Sequence, residues 1–153
     1  MVGDYVSILK GKEAHTKLLE GSNEAADAVS TTFGPYGRNV AITMKYNVPL
    51  VTKDGATVAG FITLKDKAKN VAAQLINQAA NETAKVAGDG TTSTTVLTAQ
   101  LVKKAFASIE NDGVQPMQLR RELLAVQETI LEDLKGLSTP VNPKNIRSIA
   151  MVA

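Results

Sequence analysis

The stretch from Asp66 to Ala87 limits the fold more than any other part of this chain. Its apolar and small residues fall at Ala68, Val71, Ala72, Leu75, Ile76, Ala79, Thr83 and Val86. Steps of three, one and four residues place them on one face of a helix, which at that length runs about 30 Å. A second long helix starts near Thr91 and runs to Glu110, with Thr95, Val96, Leu97, Val102, Ala105, Phe106 and Ile109 as its apolar set. Asn111, Asp112 and Gly113 end it. Pro116 suits the first turn of a third helix, where its missing N–H costs nothing. That helix reaches Leu137, with Leu119, Leu123, Val126, Ile130 and Leu134 expected to face inward. Ahead of these, Lys12 to Ser30 carries Ala14, Leu18, Ala25, Ala26 and Val29 on one stripe, and Gly21 weakens this helix without breaking it. Asn142 as N-cap and Pro143 as first residue predict a last helix, unfinished at Ala153, so the sequence is expected to continue in something longer. The fold class is mainly α, a bundle of long antiparallel helices. Aromatics are 4% of the chain against 44% hydrophobic residues, so the core must be aliphatic and rich in alanine.

Two short β-prone runs interrupt the helices. Val40 to Thr43 and Val48 to Thr52 flank Lys45-Tyr46-Asn47 and read as a hairpin projecting from the bundle. Pro49 demotes the second strand to an edge or a bulge. A lone hairpin is marginal in water, so it needs a partner in its own chain or another subunit. Tyr5 to Leu9 could add one more strand.

Composition excludes several functions. The formal net charge is +2, too small for a dedicated nucleic-acid binder. The absence of cysteine rules out a disulfide framework, a thiolate metal site and a cysteine nucleophile, and fits a cytoplasmic protein. No apolar run is long enough to span a membrane. The first residues lack a secretory signal, and early acids with no Arg before Arg38 argue against a mitochondrial transit peptide. His15 is the only histidine and a poor metal candidate. Lys65, Lys67 and Lys69 read as a solvated face, the pairs Lys103-Lys104 and Arg120-Arg121 read as solvent faces or subunit contacts, and nothing pairs the acids Glu128, Glu132 and Asp133 into an acid/base couple.

The chemistry concentrates between the two longest helices, where residues 87–94 read AGDGTTST. A helix N-terminus exposes unpaired N–H groups and about half a positive charge, which suits phosphate. Thr91, Thr92 and Ser93 add hydroxyls, and glycine lets the backbone approach a ligand closely. An acid would repel phosphate unless a metal lay between them, and Mg²⁺ takes one or two carboxylates together with phosphate oxygens. Asp89 thus suits an Mg-nucleotide. Ordinary capping accounts for the same residues: Gly88 as C′ glycine, Asp89 in the turn, Thr91 as N-cap. Neither the GxxxxGK[ST] loop nor the dinucleotide fingerprint is present. Two further loops bear on the choice. FGPYGRN (residues 33–39) is a glycine-rich turn directly after a helix, and Thr52-Lys53-Asp54-Gly55 closes the hairpin. Lys53 could balance phosphate charge, and Asp54 could orient water or help hold a metal, although exposed turns often carry such residues.

FGPYGRNV, TKDG and AGDGTT, in this order and at these separations, resemble the N-terminal part of a GroEL-type (group I) chaperonin. The resemblance extends over nearly the whole chain. It implies an equatorial ATP-binding domain over residues 1–135 and the start of an intermediate domain over 136–153. By motif, Thr32, Phe33, Gly34 and Pro35 form the first nucleotide-contacting turn and Lys53 the second contact. Asp89 would hold Mg²⁺, while Gly90, Thr91, Thr92 and Ser93 wrap the phosphates. Asp54 takes the place of an acid near the γ-phosphate and is the catalytic candidate. The implied ligands are ATP and Mg²⁺, with K⁺ as an accompanying cation. The implied partners are a homo-oligomeric ring, usually heptameric, unfolded polypeptides and a co-chaperonin, with neither nucleic acid nor membrane. The hairpin matches the family's stem loop, which pairs with the adjacent subunit.

Two departures stand out. Tyr36 occupies a position in the G-P-x-G turn that is usually basic, and Gln115 precedes Pro116 where Asn is usual, a poorer N-cap by about 1 kcal/mol at most. They suggest a divergent member, of the kind a virus would encode. The apical domain and the downstream acid that activates water in the family are absent from this sequence, so the chain is expected to bind ATP weakly and hydrolyse it negligibly. The rivals are a non-catalytic oligomerisation scaffold and, ranked last, a helical nucleic-acid binder.

Overall fold

The structure, a computed structural model, describes residues 8–43 and 48–151. In chain order it contains α1 (Gly11–Ser30), β1 (Val40–Ile42), β2 (Leu50–Thr52), α2 (Gly55–Phe61), α3 (Lys67–Ala87), α4 (Thr91–Asn111), α5 (Pro116–Leu137) and α6 (Ile146–Ala150). The residues divide into two units, one up to Lys104 and one from Ala105. The fold is mainly α with one antiparallel hairpin, as expected. The expected strand at Tyr5–Leu9 lies largely outside the described residues, and Ile8 and Leu9 are not in a strand. The hairpin tip at residues 44–47 is likewise outside them.

In the first unit, small side chains let the helices approach closely. Ala25 and Ala26 of α1, Ala73 and Ile76 of α3 and Ala99 of α4 form one buried cluster, edged by Ile62 and Leu64. Gly21 belongs to this contact: a Cβ there would collide with the Lys69 backbone carbonyl, and would stand only 2.8 Å from the Lys69 carbonyl carbon and Cα. Lys17 pairs with Asp66 at 2.7 Å, and Lys69 reaches Glu24 at 2.7 Å and Glu20 at 3.0 Å. These pairings rise together along both helices, so α1 and α3 run in the same direction. Lys69 is therefore a tie between helices, where the sequence suggested only a solvated face. The glycine turn between α3 and α4 reverses the chain, and the Thr83 and Thr94 hydroxyls meet across it at 3.0 Å.

The phase of α3 differs from the expected stripe. Ala72 and Ile76 are buried as foreseen, but Ala73 and Ala80 join them while Val71, Leu75 and Val86 are exposed. Close helix contacts select alanine over leucine because a methyl lets two backbones approach.

A second cluster joins Val29, Val58 and Ala59, with Val40, Ile42 and Ile62 packed against it. It anchors the hairpin to α1 and α2. The ladder pairs Val40 with Thr52, Ala41 with Val51 and Ile42 with Leu50. Pro49 falls just outside this register, where its missing N–H costs no bond. Val51 remains 62% exposed, so one hairpin face is uncovered.

Aspartates start two helices. Asp54 accepts the N–H of Thr57 at 2.8 Å and of Ala56 at 3.4 Å; Asp66 accepts that of Ala68 at 2.9 Å and of Lys69 at 3.3 Å. In the second unit α5 begins at Pro116 as expected. The last helix does not start where expected: α6 begins at Ile146 with Asn145 in the N-cap position, and Pro143 lies in the turn before it. That turn is closed by the Asn142 side chain, which accepts the N–H groups of Lys144 at 2.9 Å and Asn145 at 3.1 Å. The α5 stripe does not bury: Leu123, Val126, Ile130 and Leu134 are all about half exposed, and α5 has no buried residue. An apolar face needs a second layer over it, and among the described residues none covers this one.

Candidate functional site

Three loops meet in the first unit. The first follows α1. There the Thr32 N–H and hydroxyl both donate to the Val29 carbonyl, at 3.0 and 2.8 Å, burying the side chain to 6% exposure. The turn is then fastened on itself: Gly37 N–H donates to Gly34 O at 3.0 Å and Arg38 N–H to Thr31 O at 2.7 Å. Gly34 takes φ +72°, a conformation that favours glycine. Phe33 is half exposed, and Tyr36 is 94% exposed.

The second loop joins β2 to α2. Lys53 and Asp54 are exposed, whereas Gly55 is buried. The Thr57 hydroxyl, at 2.5 Å from Asp54 Oδ2, is the main cause that holds the Asp54 carboxyl below its ordinary pKa; partial burial opposes it, and the Thr57 and Ala56 amides assist. Asp54 is therefore an ionised cap as well as a candidate acid.

The third loop is the glycine turn. Gly88, at φ +76°, terminates α3 with its N–H on Ala84 O at 2.9 Å, the C′ role that ordinary capping requires. Gly90, at φ +85°, opens α4, and its carbonyl accepts the Thr94 N–H at 2.9 Å. Gly90 thus occupies the N-cap position and Thr91 is already helical, so the capping alternative fails for Thr91. A glycine at that position has no side chain to accept the first amides. The N–H groups of Thr91, Thr92 and Ser93 precede the first intrahelical bond and have no carbonyl within the helix. Asp89 is exposed, with Oδ1 accepting the Gly90 N–H at 2.6 Å.

The meeting point is Thr92. Its hydroxyl lies 3.4 Å from that of Thr32. A Cβ on Gly55 would overlap the same hydroxyl and stand 3.3 Å from Thr32 Oγ1. The structure thus brings together Thr32, Gly55 and Thr92, one residue from each loop. Phe33, Pro35, Lys53 and Asp89 flank these residues in sequence, and no hydrogen bond or ion pair joins them to one another among the described residues. Gly55 was not singled out from sequence; the signal was a glycine directly after a capping aspartate.

The donor set suits an anion and a hard cation. Among the described residues no side chain caps the amides of Thr91, Thr92 and Ser93, these residues carry hydroxyls of their own, and the Asp89 carboxylate, bonded to the Gly90 N–H, precedes them in the turn. Among the described residues no cluster of three or more His, Cys, Asp or Glu could form an all-protein metal cage, so a cation here would need ligand oxygens as well, which fits Mg²⁺. A groove of about 560 Å³ between α1 and α3, lined by Leu9, Ala14, Leu18 and Val71 among others, shares no residue with this constellation.

The model of the TCP-1/cpn60 chaperonin family matches residues 25–153. The chain belongs to that family. This chaperonin chain is 43% identical over 144 residues to 60 kDa heat shock protein homolog 2, mitochondrial, of Drosophila melanogaster, covering 94% of this chain and 25% of that protein. It is 42% identical to Heat shock protein 60A of the same organism, with the same coverage. Among solved structures it is similar to the chaperonin gp146 from bacteriophage EL 2 (Pseudomonas aeruginosa) in the presence of ATP-BeFx. There the TM-score is 0.72 and the identity 31%, covering 87% of this chain and 24% of that one. The chaperonin chain thus spans about a quarter of the length of these relatives. No helix among its described residues is long and apolar enough to cross a membrane.

Proposed function

We propose that this chaperonin chain contributes the nucleotide-binding part of an ATP-driven, ring-forming protein-folding machine. The supporting observation is the junction at Thr92, where the turn after α1, the loop after β2 and the start of α4 converge beside amides that no side chain caps among the described residues. In this reading Thr91, Thr92 and Ser93 hold phosphate oxygens through N–H and hydroxyl groups, and Gly90 keeps the approach open. Asp89 holds Mg²⁺, which when bound offsets phosphate charge. Lys53 adds a second cation, and the Thr32–Pro35 turn contacts the nucleotide. Asp54, kept ionised by its cap bonds, faces the terminal phosphate. K⁺ accompanies the site.

The finer assignments belong to the same reading. Residues 1–135 form the N-terminal part of an equatorial domain and 136–153 begin an intermediate domain. The hairpin, with Val51 uncovered, pairs with an adjacent subunit of a homo-oligomeric ring of seven. Clients are unfolded polypeptides, a co-chaperonin assists, and a sequence free of cysteine suits the cytoplasm. The phage chaperonin structure, described as in the presence of ATP-BeFx, supports the choice of nucleotide.

The test is Asp89→Ala, with nucleotide titrations in Mg²⁺ and in EDTA, and the mass of the assembly by light scattering. The folding machine loses Mg-dependent binding while assembly persists. If Mg-dependent binding is unchanged by the substitution, the chain is the non-catalytic scaffold.

A further inference from the structure

We propose that Gly55 is a positioning residue, which by having no side chain fixes the Thr92 hydroxyl beside Thr32 in the phosphate cradle; this rests on the nucleotide reading above. Gly55 does not adopt a positive φ, so its backbone does not demand glycine. Space does: a Cβ there would overlap Thr92 Oγ1 and stand 3.1 Å from Thr92 Cβ and 3.3 Å from Thr32 Oγ1.

Both sides of this contact are held. Asp54, next to Gly55, caps α2 through Thr57 and Ala56. One turn further on, Val58 and Ala59 are buried against Val29 of α1. Thr32 is fastened to Val29 O, so the same valine backs both loops. Thr92 lies in the first turn of α4, ahead of Thr94, whose N–H closes the first helical bond, and of Thr95, whose hydroxyl donates to Thr91 O at 3.0 Å.

The obstacle at Gly55 is the outer atom of a side chain, not a backbone. Threonine in a helix divides between two χ1 rotamers. A methyl at position 55 is accommodated when Thr92 turns its hydroxyl out of the junction, and the 3.1 Å approach to Thr92 Cβ is relieved by a shift of about a few tenths of an ångström between α2 and α4. The chain then folds but presents one hydroxyl fewer to a phosphate. At Gly21, by contrast, the obstacle is main chain, and no rotamer change relieves it.

The experiment has two arms. In the first, the ¹³C,¹⁵N-labelled chain without nucleotide is measured for the three-bond N–Cγ2 and C′–Cγ2 couplings of Thr92, in wild type and Gly55→Ala. One rotamer is expected in wild type and another in the variant, with other resonances little changed. In the second, Mg-ATP is titrated into wild type, Gly55→Ala, Thr92→Ala and the double variant. Gly55→Ala is expected to weaken binding about tenfold, as for one hydrogen bond to a charged group, and Thr92→Ala by a similar factor. The double variant should be no weaker than Thr92→Ala, because two changes that act through one hydroxyl do not add. An unchanged Thr92 rotamer, losses that multiply in the double variant, or a Gly55→Ala chain that fails to fold would each overturn the proposal. A wild type that does not bind Mg-ATP overturns the nucleotide reading instead, and the coupling measurement still decides the steric claim.

Discussion

Replacing Gly21 by alanine sets helix propensity against packing, and the structure says which wins. Alanine in a helix interior is favoured over glycine by about 1 kcal/mol. At position 21, however, the new Cβ would stand 2.8 Å from the carbonyl carbon and Cα of Lys69, with the carbonyl oxygen nearer still. Ordinary carbon–carbon contact is about 3.5–4.0 Å, so α1 and α3 must part by about 1 Å. A gap of that size forfeits about a quarter to a half of the dispersion attraction across the seam, where Ala25 and Ala26 meet Ala73 and Ile76. Overpacking of this kind costs about 1–3 kcal/mol, and a backbone obstacle belongs at the upper end. The net loss is about 1–2 kcal/mol, a fall in Tm of about 3–8 °C. Gly60→Ala in α2 is the control, since nothing lies within 4 Å of its added methyl; it should raise stability by up to about 1 kcal/mol. Thermal melts followed by circular dichroism at 222 nm measure both. A Gly21→Ala protein that melts at or above the wild type refutes the packing argument.

Two other expectations follow from the candidate site. Asp54→Ala should destabilise the chain by about 1 kcal/mol through loss of the α2 cap. Because the folded carboxyl titrates below its unfolded value, this stabilisation is complete above the ordinary carboxylate pKa. It is lost as pH falls through the lower folded value, so the wild-type advantage in urea melts should shrink between about pH 5 and about pH 3; an advantage that grows on acidification contradicts the assignment. The chain by itself should show negligible single-turnover ATP hydrolysis, measured with radiolabelled nucleotide, and a rate matching that of an intact chaperonin ring would show that no further acid is needed.

The long helices were legible because their periodicity survives any choice of neighbour. Which side of α3 would be buried was not, because the seam takes Ala73 and Ala80 and leaves Leu75 and Val86 outside, the reverse of a ranking by hydrophobicity. Helix α2 escaped notice because seven residues with two glycines carry little period; the sign of it was Asp54, which caps it. At the site, the motifs named the loops, and the fold supplied their meeting at Thr92. Gly90 illustrates the division. The sequence offered Thr91 as a cap with equal justice, and only the backbone, at φ +85°, left the first amides of α4 uncapped. The α5 stripe was also readable, but its inward-facing role was not, since among the described residues nothing covers it.

The central claim is that the first turn of α4 cradles a triphosphate with a divalent ion at Asp89. Amide chemical shifts of the ¹⁵N-labelled chain, followed during titration with ATP in Mg²⁺, address it residue by residue. The shifts should concentrate at Gly90, Thr91, Thr92 and Ser93, reach Thr32 and Lys53, and largely vanish in Asp89→Ala or in EDTA. Saturable shifts centred elsewhere, with residues 89–93 unmoved, would contradict it.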